Sequence, residues 1–210
     1  MANPTRSTAL FRLLLLVAVG LGVMVSISSA QEAAMVMSVE SIGPHDFSLG
    51  PLKGLIPLSK EQESALKAQE RATLSAMEAM ATPRAMVLGL LAASSMIVFL
   101  TSLQIRWSSE APPAALARRL GVLALATAVL RTLDGAQQLV IVRRAAEANG
   151  RALIASGVAD AETVAAMTHA LVSVVSVGWT ALVVGVFVVL GTYFRSPKVL
   201  AVFVERTHDE

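Results

Sequence analysis

The chain has 210 residues, of which 55% are hydrophobic and only 15% are charged, and its formal net charge at pH 7 is +2. Soluble domains carry about a quarter charged residues, so this composition favours a membrane protein. The sequence contains no cysteine, which excludes disulfides, thiolate metal sites and a cysteine nucleophile. It also has no basic block with interleaved aromatic residues, so we expect no nucleic acid among its partners.

Residues 1–30 are typical of a secretory signal peptide. Arg6 and Arg12 make a basic start, the stretch Leu13 to Val25 is apolar, and small residues precede a cleavage position at Ala30. We therefore expect cleavage after Ala30. The alternative is a retained first transmembrane helix, since the whole apolar run reaches the lower end of spanning length. Both interpretations place the residues that follow on the far side of the membrane.

Residues 31–84 form the next predicted region, an exported loop followed by an amphipathic helix. Glycine and proline are frequent up to position 58, which favours a loop. Ser59 and Gln62 have the spacing of a helix capping box. Apolar residues then recur at helical spacing and predict one apolar stripe: Leu66, Leu74, Met77 and Ala81.

Three further apolar runs predict a transmembrane helical bundle in residues 85–195. The runs cover residues 85–105, 120–142 and about 170–194, and each is long enough to cross a bilayer. The fold class is therefore all-α, an integral membrane protein with three mature transmembrane helices, or four if the signal segment is retained. Residues 196–210 form a short tail.

Local signals refine the ends of these helices. Thr82 and Pro83 fit a cap and a first-turn proline for the helix that contains the run 85–105. Asn149-Gly150 is a possible interruption where the third helix continues beyond the membrane, and Asp160 is a good cap for the last helix. In the run 85–105, small residues four apart predict a close helix–helix approach: Ala85, Gly89 and Ala93.

The density of Lys and Arg predicts the orientation. Segments 1–12, 106–119 and 195–210 carry eight basic residues in 42 positions, whereas segments 31–84 and 143–169 carry eight in 81. Basic residues concentrate on the cytoplasmic side of short loops. We therefore expect a multi-pass protein of the cell membrane, the bacterial inner membrane or its equivalent, with the C-terminus in the cytoplasm.

A polar stripe interrupts the apolar run at residues 120–142. Arg131, Asp134 and Gln138 fall on one helix face, with Thr127 one turn before them. An unpaired arginine at the centre of a bilayer is unfavourable by about 2.5–3.5 kcal/mol. We therefore expect Arg131 to pair with Asp134, and the stripe to face the interior of the bundle.

The last helix carries a matching polar face. His169, Ser173, Ser176 and Thr180 are separated by four, three and four residues and so share one side. An antiparallel arrangement would place Thr180 near the depth of Arg131. We call these four residues, together with Thr127, Arg131, Asp134 and Gln138, the polar seam.

The sequence favours a non-enzymatic protein, since it has neither a nucleophile elbow nor a phosphate-binding loop. We expect no cofactor, since a lone histidine at a helix end such as His169 is more often interfacial than a haem or metal ligand. The best interpretation is an accessory or scaffold subunit whose partners are the bilayer and other membrane subunits or further copies of itself. The alternative is a small transporter, or a proton- or ion-conducting subunit, that uses the polar seam. Transport predicts a water-filled path to Asp134, and a scaffold predicts a dry seam with an exposed apolar surface.

Overall fold

The computed structural model describes residues 4–38, 60–107, 114–155, 160–197 and 199–200. Of these residues 97% are helical and none lies in a strand, which confirms the predicted all-α class. Five helices follow in chain order: α1 (Pro4–Ser38), α2 (Lys60–Ala79), α3 (Ala81–Trp107), α4 (Ala114–Ala155) and α5 (Ala161–Phe194).

Three of the described helices are long and apolar enough to cross a membrane, namely Ala9–Ser38 of α1, Ala81–Trp107 of α3 and Glu162–Phe194 of α5. The 42-residue helix α4 is not among them. Its length is ample, but charged residues interrupt its apolar stretch, among them Arg118, Arg119, Arg131 and Asp134. A membrane crossing by residues 120–142 therefore stays a prediction.

Two helix ends differ slightly from those predicted, and a third agrees. The N–H of Arg84 donates to the carbonyl of Met80 at 2.9 Å, and α3 starts at Ala81, one residue before the expected cap at Thr82. Helix α4 continues through Gly150 without interruption. Asp160 precedes α5 as expected, and its carbonyl accepts the N–H of Val164 at 3.0 Å.

The chain forms two compact units, each made of segments that are distant in sequence. Unit 1 comprises Met1–Glu32, Val87–Thr132 and Ala181–Glu210, and unit 2 comprises Ala33–Met86 and Leu133–Thr180. Helices α1, α3, α4 and α5 each contribute residues to both units.

In unit 1, α1 packs antiparallel against α3 through small residues. A Cβ on Gly22 would lie 3.0 Å from the backbone nitrogen of Phe99 and 3.1 Å from the carbonyl oxygen of Ser95. One turn later, the Ser26 hydroxyl donates to the carbonyl of Ala92 at 3.0 Å. Small residues allow two helix backbones to come this close, and the hydroxyl adds a bond between the helices.

Helices α4 and α5 also approach closely in unit 1. A Cβ on Gly121 would lie 2.9 Å from the carbonyl oxygen of Gly191, and one on Gly191 would meet the side chain of Leu125. Around these contacts lies an apolar core to which α1, α3, α4 and α5 all contribute. Its fully or nearly buried members include Leu15, Ala18, Val25, Leu91, Val98, Leu120, Ala124, Val183, Phe187, Leu190 and Phe194.

Candidate functional site

Unit 2 contains a buried cluster of three polar side chains contributed by two helices. Arg84 lies in the first turn of α3, and Asp134 and Gln138 lie one turn apart on α4. The Nη2 atom of Arg84 donates to Oε1 of Gln138 at 2.6 Å and lies 3.5 Å from Oδ1 of Asp134. Only 0% of the Arg84 side chain and 2% of the Asp134 side chain are exposed. We call these three residues the Arg84 cluster.

The chemistry of the Arg84 cluster joins α3 to α4. A guanidinium keeps its positive charge at any pH that a protein tolerates, so it needs an anion when it is buried. Asp134 supplies that charge, and the carboxamide oxygen of Gln138 accepts a charge-assisted hydrogen bond from the same nitrogen. Removing one member of such a pair typically destabilises a protein by about 3–5 kcal/mol, because the other charge stays buried.

Asp134 and Gln138 were predicted from the sequence to belong to a polar site, whereas Arg84 was not. Arg84 directly precedes the apolar run at 85–105, so it had the appearance of an arginine at the membrane surface. The positions of the two residues relative to the connection between α3 and α4 indicate that Arg84 and Asp134 can meet. Counted from that connection, Arg84 is 23 residues before Trp107 and Asp134 is 20 residues after Ala114. Two antiparallel helices with those spacings place the two side chains at nearly the same level.

Thr127 lies in unit 1, where it faces α3. Its hydroxyl donates to the carbonyl of Leu123 at 2.8 Å and lies 3.2 Å from the hydroxyl oxygen of Ser94. Thr127 is fully buried. This member of the predicted polar seam therefore does face the interior of its unit.

Thr180 packs against α4 in unit 2, beside the Arg84 cluster. Its Oγ1 lies 2.7 Å from the position that a Cβ on Gly135 would take, so glycine is needed there for α5 to come close. The neighbour of Gly135 in the chain is Asp134. We expected Thr180 at the level of Arg131, and the structure places it one helical turn further along α4.

The remaining seam residues of α5 lie progressively further from this point. Ser176, Ser173 and His169 are half-buried and precede Thr180 by four, seven and eleven residues. Eleven residues of helix correspond to about 16 Å, so His169 is remote from the carboxylate of Asp134. The hydroxyl oxygen of Ser173 is buried without a hydrogen-bond partner among the described residues.

Arg131, which the sequence placed at the centre of the polar seam, is half-buried and belongs to unit 1. Its pairing with Asp134 stays a prediction. The structure adds a cation that the prediction lacked, because Arg84 reaches the same carboxylate from α3.

The small-residue stripe Ala85, Gly89 and Ala93 is not where helices approach most closely within the described chain. Gly89 and Ala93 are exposed, and a Cβ on Gly89 would meet no atom within 4 Å. Close approaches instead occur at Gly22, Gly121, Gly135, Gly150 and Gly191. The spacing of the stripe is suited to helix packing, but its surface points away from the rest of the chain.

Unit 2 also contains an open cavity of about 690 Å³ between α2 and α4. Alanines form most of its wall, and Arg144, Glu147 and Arg151 supply its charges. Arg151 and Glu147 lie 3.5 Å apart in a highly exposed ion pair. Among the residues that the structure describes, no group of three His, Cys, Asp or Glu side chains is placed to hold a metal ion.

Comparisons with known proteins add no relative to this description. The chain matches no protein-family model, no curated protein and no solved structure.

Proposed function

We propose that this protein is a non-enzymatic integral membrane protein that serves as an accessory or scaffold subunit of a membrane complex. The burial of the Arg84 cluster is the observation that carries the proposal. A carboxylate that moves protons or ions must be reached by water from at least one side. Asp134 is instead almost fully buried beside a guanidinium, which suits a fixed link between helices.

We further propose that α1 is retained as a membrane helix. It runs without a break past Ala30 to Ser38. Leu15, Ala18 and Val25 belong to the buried core of unit 1, and Ser26 bonds to α3. Cleavage after Ala30 would remove all four contacts, whereas retention keeps the core complete.

The membrane-crossing portions are, in this proposal, the four helical segments of unit 1. In unit 1 the described helical residues number 29 in α1, 21 in α3, 19 in α4 and 14 in α5. A 30 Å hydrocarbon layer requires about twenty residues, so in this proposal the crossing of α5 includes residues before Ala181. Arg118 and Arg119 mark the membrane surface at the start of α4, so this helix crosses from Leu120 onward and leaves unit 1 at Thr132. Arg84 and Asp134 lie three residues before and two residues after crossing segments of unit 1, near the membrane boundary, where polar groups are less costly.

The partner of the scaffold would cover an apolar face of α5. Six large apolar side chains of α5 in unit 2 are between 49% and 69% exposed: Met167, Leu171, Val174, Val175, Val177 and Trp179. A crossing of about twenty residues that ends at Phe194 begins near residue 175, so lipid would not cover Met167, Leu171 and Val174. Contiguous apolar surfaces of this kind mark contacts with other proteins. Another membrane subunit or a second copy of the chain fits this surface.

A purification experiment tests the proposal. The full chain, extracted in mild detergent, should elute as a complex of fixed stoichiometry, either with a second protein or as an oligomer. The double substitution Leu171→Ala and Val175→Ala should release the chain as a monomer. The matched control, Leu182→Ala and Val189→Ala, changes exposed residues of α5 within unit 1 and should leave the complex intact.

Two results would contradict the proposal. One is a wild-type chain that is monomeric in several mild detergents and in native membranes. The other is a proton or ion flux across liposomes containing the purified chain that disappears in Asp134→Asn, which would support the conducting alternative.

A further inference from the structure

Arginines from four helices converge at one end of unit 1. The rings of Phe11 and Phe194 meet edge to face with centroids 5.7 Å apart. The next residue after each ring is an arginine, so Arg12 of α1 and Arg195 at the end of α5 lie at the same level.

Helix α4 adds two arginines at this level. The Cγ atom of Arg195 lies 2.6 Å from the position that a Cβ on Gly121 would take, so the aliphatic stem of Arg195 rests directly on α4. Arg118 and Arg119 lie in the turn just before Gly121, and both are exposed. The bare backbone at Gly121 is what allows the stem of Arg195 to lie this close to α4, within one turn of Arg118 and Arg119.

Helix α3 supplies the fifth arginine. Gly22 of α1 packs between Ser95 and Phe99 of the antiparallel α3. Ten residues back along α1 is Arg12, and about ten residues forward along α3 is Arg106. We call Arg12, Arg106, Arg118, Arg119 and Arg195 the arginine collar.

Among the residues of unit 1 that the structure describes, no acidic side chain lies at the level of the collar. The acidic residue among them is Glu32, twenty residues along α1 from Arg12, or about 30 Å. Four other acidic residues, Glu110, Glu205, Asp209 and Glu210, lie outside the described residues. The first turn of α4 contains no acidic side chain, although a helix N-terminus favours negative groups. The arginines there add to the positive end of the helix dipole.

We propose that the arginine collar binds the phosphate headgroups of anionic phospholipids in the cytoplasmic leaflet. The collar lies at the ends of apolar helices, where headgroups are found, and all five arginines are exposed. Guanidinium groups bind phosphate oxygens with two parallel hydrogen bonds. Anionic leaflets attract such clusters by an amount that corresponds to about a fivefold preference for each basic residue near the surface. This inference does not depend on the proposed scaffold function.

The test measures thermal stability of the full chain in detergent during titration with short-chain phosphatidylglycerol or, in parallel, phosphatidylcholine. Phosphatidylglycerol should raise the melting temperature of the wild type more than phosphatidylcholine does. In the triple variant Arg118→Gln, Arg119→Gln and Arg195→Gln, the phosphatidylglycerol concentration that gives half of the effect should rise by at least about tenfold.

A matched control separates the collar from general charge. Arg143→Gln and Arg144→Gln change another exposed arginine pair on α4, in unit 2, and should leave the lipid response at the wild-type value. Equal loss in both variants would overturn the proposal, as would an unchanged response in the triple variant. Soluble glycerol phosphate forms a second arm. If it stabilises the wild type as strongly as the lipid does, the ligand is a free phosphate and the proposed lipid site is wrong.

The triple variant must be folded for these comparisons, so its melting temperature without added lipid is measured first. If it is unfolded, the single variant Arg119→Gln, an exposed side chain, replaces it with an expected rise of about fivefold. No change in that variant would overturn the proposal.

Discussion

Arg84 and Asp134 lie 50 residues apart in the chain and form a buried ion pair, with Nη2 of the arginine 3.5 Å from Oδ1 of the aspartate. The pair joins the first turn of α3 to the middle of α4. It accounts for an aspartate and a glutamine in a run of otherwise apolar residues, because Gln138 accepts a hydrogen bond from the same arginine. Asp134 and Gln138 of α4 thus have a partner on a neighbouring helix.

The hydrogen bond between α1 and α3 gives the first prediction. Replacing Ser26 by Ala removes its bond to the carbonyl of Ala92 and should lower the free energy of unfolding by about 0.6 kcal/mol. Ser28 is the control, since its exposed hydroxyl bonds only to Val25 of its own helix. Unfolding in mixed detergent measures both variants. Equal effects of the two substitutions would show that the bond to α3 contributes nothing.

Glycine contacts give the second prediction. A Cβ at Gly121 would lie 2.9 Å from the carbonyl oxygen of Gly191, so Gly121→Ala must push two backbones apart. We expect a loss of about 1–3 kcal/mol in the free energy of unfolding. At Gly185 a Cβ would meet no atom within 4 Å, and Gly185→Ala should be neutral or slightly stabilising. If both variants unfold like the wild type, α4 and α5 are not in contact at Gly121.

The third prediction concerns processing of the N-terminus. If α1 is part of the core, the protein in the membrane keeps it, and its intact mass corresponds to a chain that starts at Met1 or Ala2. Mass spectrometry of the membrane-purified protein measures this directly. A chain that starts at Gln31 would show instead that residues 1–30 are a cleaved signal peptide.

Topology gives the fourth prediction. The cysteine-free sequence allows single cysteines at Ser64 and Ser196 to be read without background. In intact cells a membrane-impermeant thiol reagent should label the cysteine at 64 and should label the one at 196 only after lysis. The opposite pattern would reverse the orientation and would place the arginine collar on the outer side.

The sequence was sufficient for the helical class and for the existence of α2, α3 and α5. Apolar runs bounded by arginines and caps such as Asp160 are local signals, and the helices follow them closely. The length of α4 was also foreseen in part, although Asn149-Gly150 did not interrupt it. A glycine inside a long helix is tolerated where the opposite helix needs the space, as Ala165 does beside Gly150.

The sequence did not show which residues meet across helices. Asp134 had a candidate cation three residues away in Arg131, and nothing local distinguished that residue from Arg84. The register between α3 and α4 decides that Arg84 reaches Asp134, and register depends on packing of the whole bundle. The same limit explains Thr180, which lies one turn from its expected level, and Gly89, whose favourable spacing is not used inside the described chain.

The ion pair between Arg84 and Asp134 links α3 to α4, and a double-mutant cycle measures how much this link stabilises the protein. Arg84→Leu and Asp134→Leu should each lower the free energy of unfolding by about 3–5 kcal/mol, because each leaves a buried charge. The double variant should recover much of that loss, since both charges are gone. A parallel cycle with Arg131→Leu measures whether Arg131 also couples to Asp134.

We expect a large coupling energy between positions 84 and 134. The double variant should therefore reach the membrane in a larger folded amount than either single variant. If both single variants unfold like the wild type, the pair is not buried and the claim is contradicted. If the loss in the double variant equals the sum of the losses in the two single variants, the side chains act independently. That result would contradict the structural link and would favour the conducting alternative.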